Sequence, residues 1–178
     1  EIDNRRGEAG TLANLGRTYS KLEEYDNAIE FYRQSLAITR EIGNRPDEAR
    51  SLIGFAYAWL EIDELHQAEI HFQSALSLLE SIRDQDLLDA QKVSLLDTQL
   101  SAYSGLEKVY IAQNKLEAAL EVSERGRARA FAERLQSRFI DTDESTFPNI
   151  AEIKMIAQRQ QATLIEYSLI GDQALYIW

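Results

Sequence analysis

Few residues in the chain have the type and spacing that catalysis or metal binding would need. The two histidines, His66 and His71, are five residues apart, so on a helix their side chains point roughly 140° apart. They cannot share a metal ion as an i, i+4 pair would, and we interpret both as surface residues. The chain contains no cysteine, which excludes a disulfide, a thiolate metal ligand and a cysteine nucleophile within these residues.

A second candidate resembles a calcium-binding loop, because Asp141, Asp143 and Ser145 alternate and Glu152 follows at the twelfth position. Such a loop needs glycine for its sharp turn at the sixth position, where Thr146 stands, and Pro148 stiffens its centre. We therefore expect no calcium site. A glycine-rich phosphate loop, a Ser/His/Asp set and a dinucleotide fingerprint are also missing, so the sequence predicts neither a cofactor nor an enzymatic activity for these residues.

The charge balance disfavours nucleic acid as a partner. The 178 residues include 30 acidic and 19 basic side chains, a formal net charge of −11, and such a chain repels phosphate backbones. Five arginines could form a local contact with an anion or RNA, but we interpret them as a solvated helix face that offsets the acidic remainder. They are Arg125, Arg127, Arg129, Arg134 and Arg138. Without a membrane-spanning apolar run or a signal peptide, a cytoplasmic location is expected.

An internal repeat must position these side chains. Helix-spaced residues that can pack closely occur at Leu12, Leu15, Gly16, Tyr19, Ala28 and Tyr32. They return 40 residues downstream as Leu52, Phe55, Ala56, Trp59, Ala68 and Phe72. The pattern predicts helices over about 8–21, 25–41, 47–61 and 65–82, with the aromatic residues in the core. Gly43 and Asn44 are a helix-stop signal, and Pro46 suits the first turn of the next helix.

A third, longer unit follows. Tyr103, Leu106 and Tyr110 occupy the repeated positions, although Glu107 replaces the glycine, and Ala119 corresponds to Ala28. The apolar stripe predicts one helix from about 86 to 112 and a second from about 115 to 139. At the other end of the chain, Ile2–Arg5 aligns with the turn at Ile42–Arg45, so we expect the chain to begin at the tail of a preceding repeat.

These residues carry a family resemblance. Leu12-x-x-Leu15-Gly16-x-x-Tyr19, followed by Ala28-x-x-x-Tyr32, resembles the tetratricopeptide repeat signature. HEAT repeats have a period nearer 40 residues but lack this order of residues. The period and the run Arg40–Arg45 look like the long-helix variety of tetratricopeptide repeat. The resemblance implies an all-α superhelix over residues 1–140, with repeats at about 8–42, 47–82 and 86–139.

The resemblance also implies where a ligand binds. In tetratricopeptide arrays the first helix of each repeat lines a concave groove that holds extended or helical peptides. The residues that face this groove by repeat register are Asn14, Arg17, Arg50, Tyr57 and Lys108. An asparagine can pair with a ligand's backbone amide, and arginines can bind carboxylates in a bidentate manner. The family's carboxylate clamp has lysine where Ala13 and Ile53 stand, so binding of chaperone tails is not expected.

The C-terminal part, 141–178, does not continue the pattern of paired helices. After a polar linker, Asn149 and Glu152 have capping-box spacing and predict a helix over 149–160. Two β-branched and aromatic runs around Gly171-Asp172 predict a hairpin over 162–178. We expect this hairpin to be a fragment of a truncated α/β domain, because two strands alone are rarely stable. Its Ile165/Tyr167 face should pack on a helix, and its open edge could pair with a second copy.

This part also looks like the entry into a CHAT domain, the caspase-like family found behind tetratricopeptide arrays. The similarity rests on the arginine-rich run 123–130, on Thr163–Tyr167 and on Leu175–Trp178. It implies a parent protein with a His/Cys dyad further along, and no catalytic residue carries over to this chain. The main hypothesis is a scaffold that binds a partner protein or peptide, or the parent's own downstream domain, in the groove. The alternative is the N-terminal regulatory part of a caspase-like cysteine protease.

Overall fold

The computed structural model describes residues 2–83 and 89–136, two short strands, and the isolated positions Met155, Gln158 and Arg159. Its helices are α1 (Ile2–Lys21), α2 (Tyr25–Glu41), α3 (Arg45–Glu61), α4 (Leu65–Arg83), α5 (Asp89–Ala112) and α6 (Leu116–Gln136). The strands are β1 (Tyr167–Ile170) and β2 (Ala174–Ile177). The predicted all-α array of paired helices is confirmed for residues 2–83 and 89–136.

The helices form two layers. Each helix packs against the next one, and the first helices of successive pairs, α1, α3 and α5, also contact one another. These additional contacts make α1, α3 and α5 an inner layer and leave α2, α4 and α6 outside. Ala28, Ala68 and Ala119 are fully buried at equivalent places in the outer helices. Because alanine is small, the backbones of paired helices can approach closely there.

Aromatic side chains of the outer helices lock one pair of helices onto the next. Tyr32 of α2 and Phe72 of α4 are buried against glycines of the following inner helix. A Cβ placed on Gly54 would lie 2.5 Å from Cε1 of Tyr32, and one placed on Gly105 would lie 2.2 Å from Cζ of Phe72. Such distances are too short for any side chain, so only glycine allows these rings to pack in place. The prediction that Tyr32 and Phe72 belong to the core is confirmed.

Four turns between consecutive helices share one geometry. In each, one residue has a positive φ: Glu23 (61°), Gly43 (68°), Asp63 (62°) and Asn114 (58°). At the first turn, Glu24 N–H donates to the carbonyl of Tyr19 over 3.0 Å, and equivalent hydrogen bonds occur at the other three. This pattern is the Schellman motif, in which a left-handed residue ends the helix. The helix-stop signal at Gly43 is therefore confirmed.

Glu23→Gly is expected to raise the free energy of unfolding by about 0.5–1 kcal/mol. The left-handed conformation strains a residue that has a Cβ, and the gain exceeds the greater flexibility of glycine in the unfolded chain. Glu24→Gly is the matched control, because Glu24 has a φ of −88°, and we expect it to destabilise. Urea unfolding of both variants measures the effect, and equal changes in the two would contradict it.

The predicted start of α1 is wrong. The sequence placed a turn at Ile2–Arg5 by alignment with Ile42–Arg45, whereas the structure has helix from Ile2 onward. An ion pair of 2.7 Å between Arg5 and Glu8, three residues apart, favours the helical conformation.

One apolar side chain of α1 is more exposed than its counterparts. Leu15 is 37% exposed, whereas Phe55 and Leu106, at the equivalent places in α3 and α5, are 8% and 3% exposed. The inner helices α3 and α5 each pack against the outer helix that precedes them in the chain. Among the described residues, no helix precedes α1, so this part of its apolar face is open.

A polar network outside the inner layer joins α4 to the turn between α5 and α6. Oε2 of Glu69 accepts hydrogen bonds from Gln113 Nε2 at 2.9 Å and from Lys115 Nζ at 3.0 Å. Gln73 of α4 donates to the hydroxyl of Tyr110 over 2.9 Å. Burial opposes ionisation of Glu69, but these hydrogen bonds and the charge of Lys115 outweigh it and lower the pKa of the carboxyl group.

The free energy of unfolding should fall less on acidification in Glu69→Gln than in the unmodified protein, by a few tenths to about 1 kcal/mol. Because the folded-state pKa lies below that of an unfolded glutamate, the stabilisation is complete above the unfolded pKa. It is lost as the pH falls through the folded pKa. Urea unfolding across that pH range measures it, with Glu80→Gln, an exposed glutamate of the same helix, as the control. Identical profiles for Glu69→Gln and the unmodified protein would contradict the prediction.

The remaining helix bounds stay close to the expectation. Helix α2 begins and ends as predicted, and the described parts of α5 and α6, Asp89–Ala112 and Leu116–Gln136, fall within the ranges predicted for them. Residues 84–88 and 137–139 lie outside the described part of the chain. The division into repeats and a separate C-terminal unit stays a prediction.

Strands β1 and β2 pair antiparallel, with Tyr167 opposite Ile177 and Ile170 opposite Ala174. The turn predicted at Gly171-Asp172 and the apolar face predicted at Ile165 lie outside the described residues. So does the calcium-loop-like segment 141–152. Of the helix predicted over 149–160, only three isolated positions are described, and they are helical.

Candidate ligand-binding groove

The inner layer of helices carries an open cavity of about 640 Å³. Helices α1 and α3 supply most of its lining, α2 supplies two tyrosines, and α5 supplies Ser101. The residues that line it are Ala13, Asn14, Arg17, Ser20, Lys21, Glu23, Tyr25, Tyr32, Arg50, Ile53, Gly54, Tyr57, Ala58, Glu61 and Ser101. We call this surface the groove. A cavity of this size holds a short peptide segment or a few side chains.

Four of the five residues predicted to face a ligand line the groove: Asn14, Arg17, Arg50 and Tyr57. Lys108 lies beside it, with its Nζ 5.9 Å from the centre of the Tyr57 ring. The structure thus brings the five together on one surface, because α1, α3 and α5 contact one another. Their role in binding stays a prediction.

The two arginines differ in how far their charge is neutralised. Arg50 Nη1 donates to Oδ1 of Asp47 over 2.7 Å, and its Nη2 lies 3.4 Å from Oγ of Ser94. Arg17 Nη2 donates to the amide oxygen of Asn14 over 3.1 Å. Within the described part of the chain, Arg17 forms no ion pair with a carboxylate. Arg17 is therefore the more available cation for a ligand.

Tyr57 forms a wall of the groove. Its hydroxyl donates to the carbonyl oxygen of Ser101 over 2.9 Å, which joins α3 to α5. Its ring meets Phe72 edge to face, with 4.9 Å between the ring centres. Burial raises the pKa of the Tyr57 hydroxyl. Because the hydroxyl proton is already engaged, Tyr57 can offer a ligand mainly its ring face.

One end of the groove is acidic, which was not predicted from the sequence. Glu23 and Glu61 line it together with Tyr25. Burial raises the pKa of the Tyr25 hydroxyl, and the negative charges of Glu61 and Glu23 raise it further. Repeat register could have indicated Glu61, because it occupies in α3 the place that Lys21 has in α1. Nothing in the repeat pattern indicated Tyr25, which belongs to an outer helix.

Tyr32 is a further tyrosine that lines the groove. Burial raises its pKa, against the opposing effects of a hydrogen bond with Ser20 and the positive charge of Arg17. The hydroxyl therefore lies within the electrostatic reach of Arg17. Since the sequence identified Tyr32 only as a core residue, its polar end was not anticipated.

The interpretation of both histidines as surface residues is wrong for one of them. His66 is exposed, but His71 is partly buried and its ring centre lies 4.6 Å from that of Phe55. Burial lowers the pKa of His71, and the charge of Arg40 adds to this effect. His71 thus packs as part of the helix interface. In the described part of the chain, no group of three or more histidine, aspartate or glutamate side chains could hold a metal ion.

The arginine run of α6 is only partly the solvated face that the sequence predicted. Arg125 and Arg127 are exposed and form ion pairs of 2.6 Å with Glu121 and Glu124. Arg129 is buried, with 7% of its surface exposed, which corrects the prediction at that position. The side chains of Arg134 and Arg138 lie outside the described residues. None of the described helices has the length and apolar character of a membrane span.

Comparison with known proteins supports one family. Residues 7–81 match the tetratricopeptide repeat family. The mouse protein named tetratricopeptide repeat protein 28 is 33% identical over 141 residues, which cover 77% of this chain and 6% of the relative. Its human namesake is 34% identical over 140 residues, 76% of this chain and again 6% of the relative. The chain thus spans about 6% of the length of these relatives. The match over residues 7–81 and the two relatives together support a tetratricopeptide repeat protein.

Proposed function

We propose that this chain is a protein-interaction scaffold that binds a segment of a partner protein in the groove formed by α1, α3 and α5. Tetratricopeptide repeats generally mediate protein–protein interactions, which supports the class of function. The observation that carries the site is Arg17, a cation that lines an open cavity without a carboxylate partner among the described residues.

The groove offers several complementary contacts. The amide oxygen of Asn14 accepts from Arg17, so its NH₂ group remains available to donate to a ligand carbonyl. The other N–H groups of Arg17 can bind a carboxylate in a bidentate manner. The ring of Tyr57 supplies an aromatic surface for an apolar side chain. Together these contacts suit a peptide segment that carries at least one acidic group.

A protein partner is favoured over nucleic acid for electrostatic reasons. The chain has a formal net charge of −11, and the groove itself carries Glu23 and Glu61. The exposed arginines of α6 that are described, Arg125 and Arg127, are paired with glutamates. Neither surface therefore presents the continuous positive potential that binds a phosphate backbone.

Arg17→Glu is expected to abolish co-purification of partner proteins from a cell extract. The change places a negative charge where a ligand carboxylate would bind and should weaken binding by tenfold or more, as loss of a charge-assisted contact does. Quantitative mass spectrometry of the captured proteins measures the loss.

Arg33→Glu is the matched control. Arg33 is exposed on the outer helix α2, pairs with Glu30 and does not line the groove, so the same change should retain the partners. Circular dichroism should show both variants to be as helical as the unmodified protein. Partners retained by Arg17→Glu, or lost equally from both variants, would move the interaction away from the groove.

A second candidate concerns the parent protein. We propose that the array regulates a caspase-like CHAT domain that follows it, with that domain as the occupant of the groove. The pairing of β1 with β2 supports this, because the two strands overlap the runs that resemble the entry into that domain, at Tyr167 and at Leu175–Ile177. The open edge of the same pair of strands is where we predict that a second copy of the chain could pair. A strand ending in His-Gly and a later cysteine, in the same polypeptide beyond residue 178, are expected; their absence contradicts this candidate.

A further inference from the structure

We propose that the groove selects a ligand segment with charges of both signs, in which an acidic group contacts Arg17 and a basic group contacts Glu61. This inference rests on the proposed function, because it names the chemistry of the ligand that the same groove would bind. It commits to a peptide with an acidic and a basic side chain a few residues apart.

The acid-binding end consists of two cations on either side of an aromatic wall. Arg17, Tyr57 and Lys108 occupy equivalent places in α1, α3 and α5. Lys108 approaches the Tyr57 ring at 5.9 Å, and among the described residues neither it nor Arg17 has a carboxylate partner. Arg50 contributes less, because Asp47 already neutralises much of its charge.

The base-binding end consists of Glu61 and Glu23. Both line the cavity, and both act electrostatically on the hydroxyl of Tyr25. Lys21 also lines this end, but it forms an ion pair with neither carboxylate within the described part of the chain. The two carboxylates outnumber this one lysine, and neither forms an ion pair with a described residue, which favours the approach of a cation.

The separation of the two ends limits the spacing of the ligand's charges. Tyr57 is the residue of α3 that is equivalent to Arg17 of α1, and Glu61 lies one helical turn beyond Tyr57. Helix α3 is the neighbour of α1. One turn along and one helix across correspond to roughly 10 Å between backbone positions. An extended peptide covers this distance in about three residues. The expected ligand therefore has an acidic and a basic residue about three positions apart.

The arrangement disfavours ligands of a single sign. A uniformly acidic segment would bring negative charge against Glu61 and Glu23, and a uniformly basic one would meet Arg17 and Lys108. Like charges placed together across an interface weaken binding. RNA would likewise bring negative charge against Glu61 and Glu23, and the net charge of −11 of the whole chain would repel it as well.

Selection from a random peptide library displayed on phage tests the inference. We expect the unmodified protein to enrich peptides with an acidic and a basic residue about three positions apart. Glu61→Lys should shift the enrichment to uniformly acidic peptides, whereas Glu80→Lys, an exposed control on α4, should leave it unchanged. Enrichment of uncharged or uniformly acidic peptides by the unmodified protein would overturn the inference.

A charge swap makes the test quantitative. A selected peptide should bind Glu61→Lys about tenfold more weakly, and replacing the peptide's basic residue with glutamate should restore the affinity. Fluorescence anisotropy measures both changes. Failure of the swap to restore binding would overturn the inference, as would tighter binding of an RNA oligonucleotide than of any selected peptide. If Arg17→Glu binds the enriched peptides with the same affinity as the unmodified protein, the proposed function fails too. This result distinguishes failure of the groove as the binding site from failure of the charge selectivity alone.

Discussion

Phe72→Ala is expected to lower the free energy of unfolding by about 3–5 kcal/mol, the range for deleting a large buried aromatic side chain. The Phe72 ring is completely buried. It packs edge to face on Tyr57 and against the backbone of α5 at Gly105. Its removal leaves a cavity where α3, α4 and α5 meet, and the packed helices around it can close that cavity only in part.

Phe31→Ala is the matched control, because Phe31 is only partly buried and stacks on Tyr19 with 5.1 Å between ring centres. The same chemical change there should cost much less, because less surface returns to water. Urea unfolding followed by circular dichroism measures both variants. Equal losses would show that Phe72 does not hold the two pairs of helices together.

Gly105→Ala is expected to destabilise the fold by about 1–3 kcal/mol, although alanine is normally the better helix former. The new Cβ would lie 2.2 Å from Cζ of Phe72, so the ring or the helix must move, and overpacking has that cost. Gly10→Ala in α1 is the control, because nothing lies within 4 Å of the Cβ it would create. We expect it to stabilise by about 0.5–1 kcal/mol through helix propensity alone.

The effects of Phe72→Ala and Gly105→Ala on stability should also be coupled. In the double variant Phe72→Ala/Gly105→Ala, the space left by the ring accommodates the new Cβ, so the combined loss should be smaller than the sum of the single losses. Contacting residues typically show such couplings of 0.5–3 kcal/mol. Additive losses, or a stabilising Gly105→Ala, would contradict a direct contact between the ring and α5.

This packing bears on binding as well as on stability. Phe72 supports the Tyr57 ring, and the Tyr57 hydroxyl holds α3 to α5 through the carbonyl of Ser101. The distance between Arg17 and Lys108 across the groove therefore depends on aromatic contacts behind it. The groove is a consequence of how successive pairs of helices are locked together.

Local signals in the sequence determined the elements of the fold. The period of 40 residues and the spacing of Leu12, Leu15, Gly16 and Tyr19 were enough to predict paired helices. Gly43 and Asn44 were enough to predict one turn, and Asn44 does cap α3 by accepting from the Asp47 N–H. The spacing and turn signals act within a few residues, and the period only repeats them along the chain, so no knowledge of distant contacts is needed.

Tertiary structure alone decided which glycines are essential. Gly16 and Ala28 were identified as close-packing positions, yet the shortest Cβ distances occur at Gly54 and Gly105.

Glu61 and Arg17 line the same groove only because α3 packs beside α1. These relations join residues more than 20 positions apart, and they depend on the angle and distance at which the helices pack. A helical pattern shows that a face is apolar or polar, but the packing of its neighbours determines what that face meets.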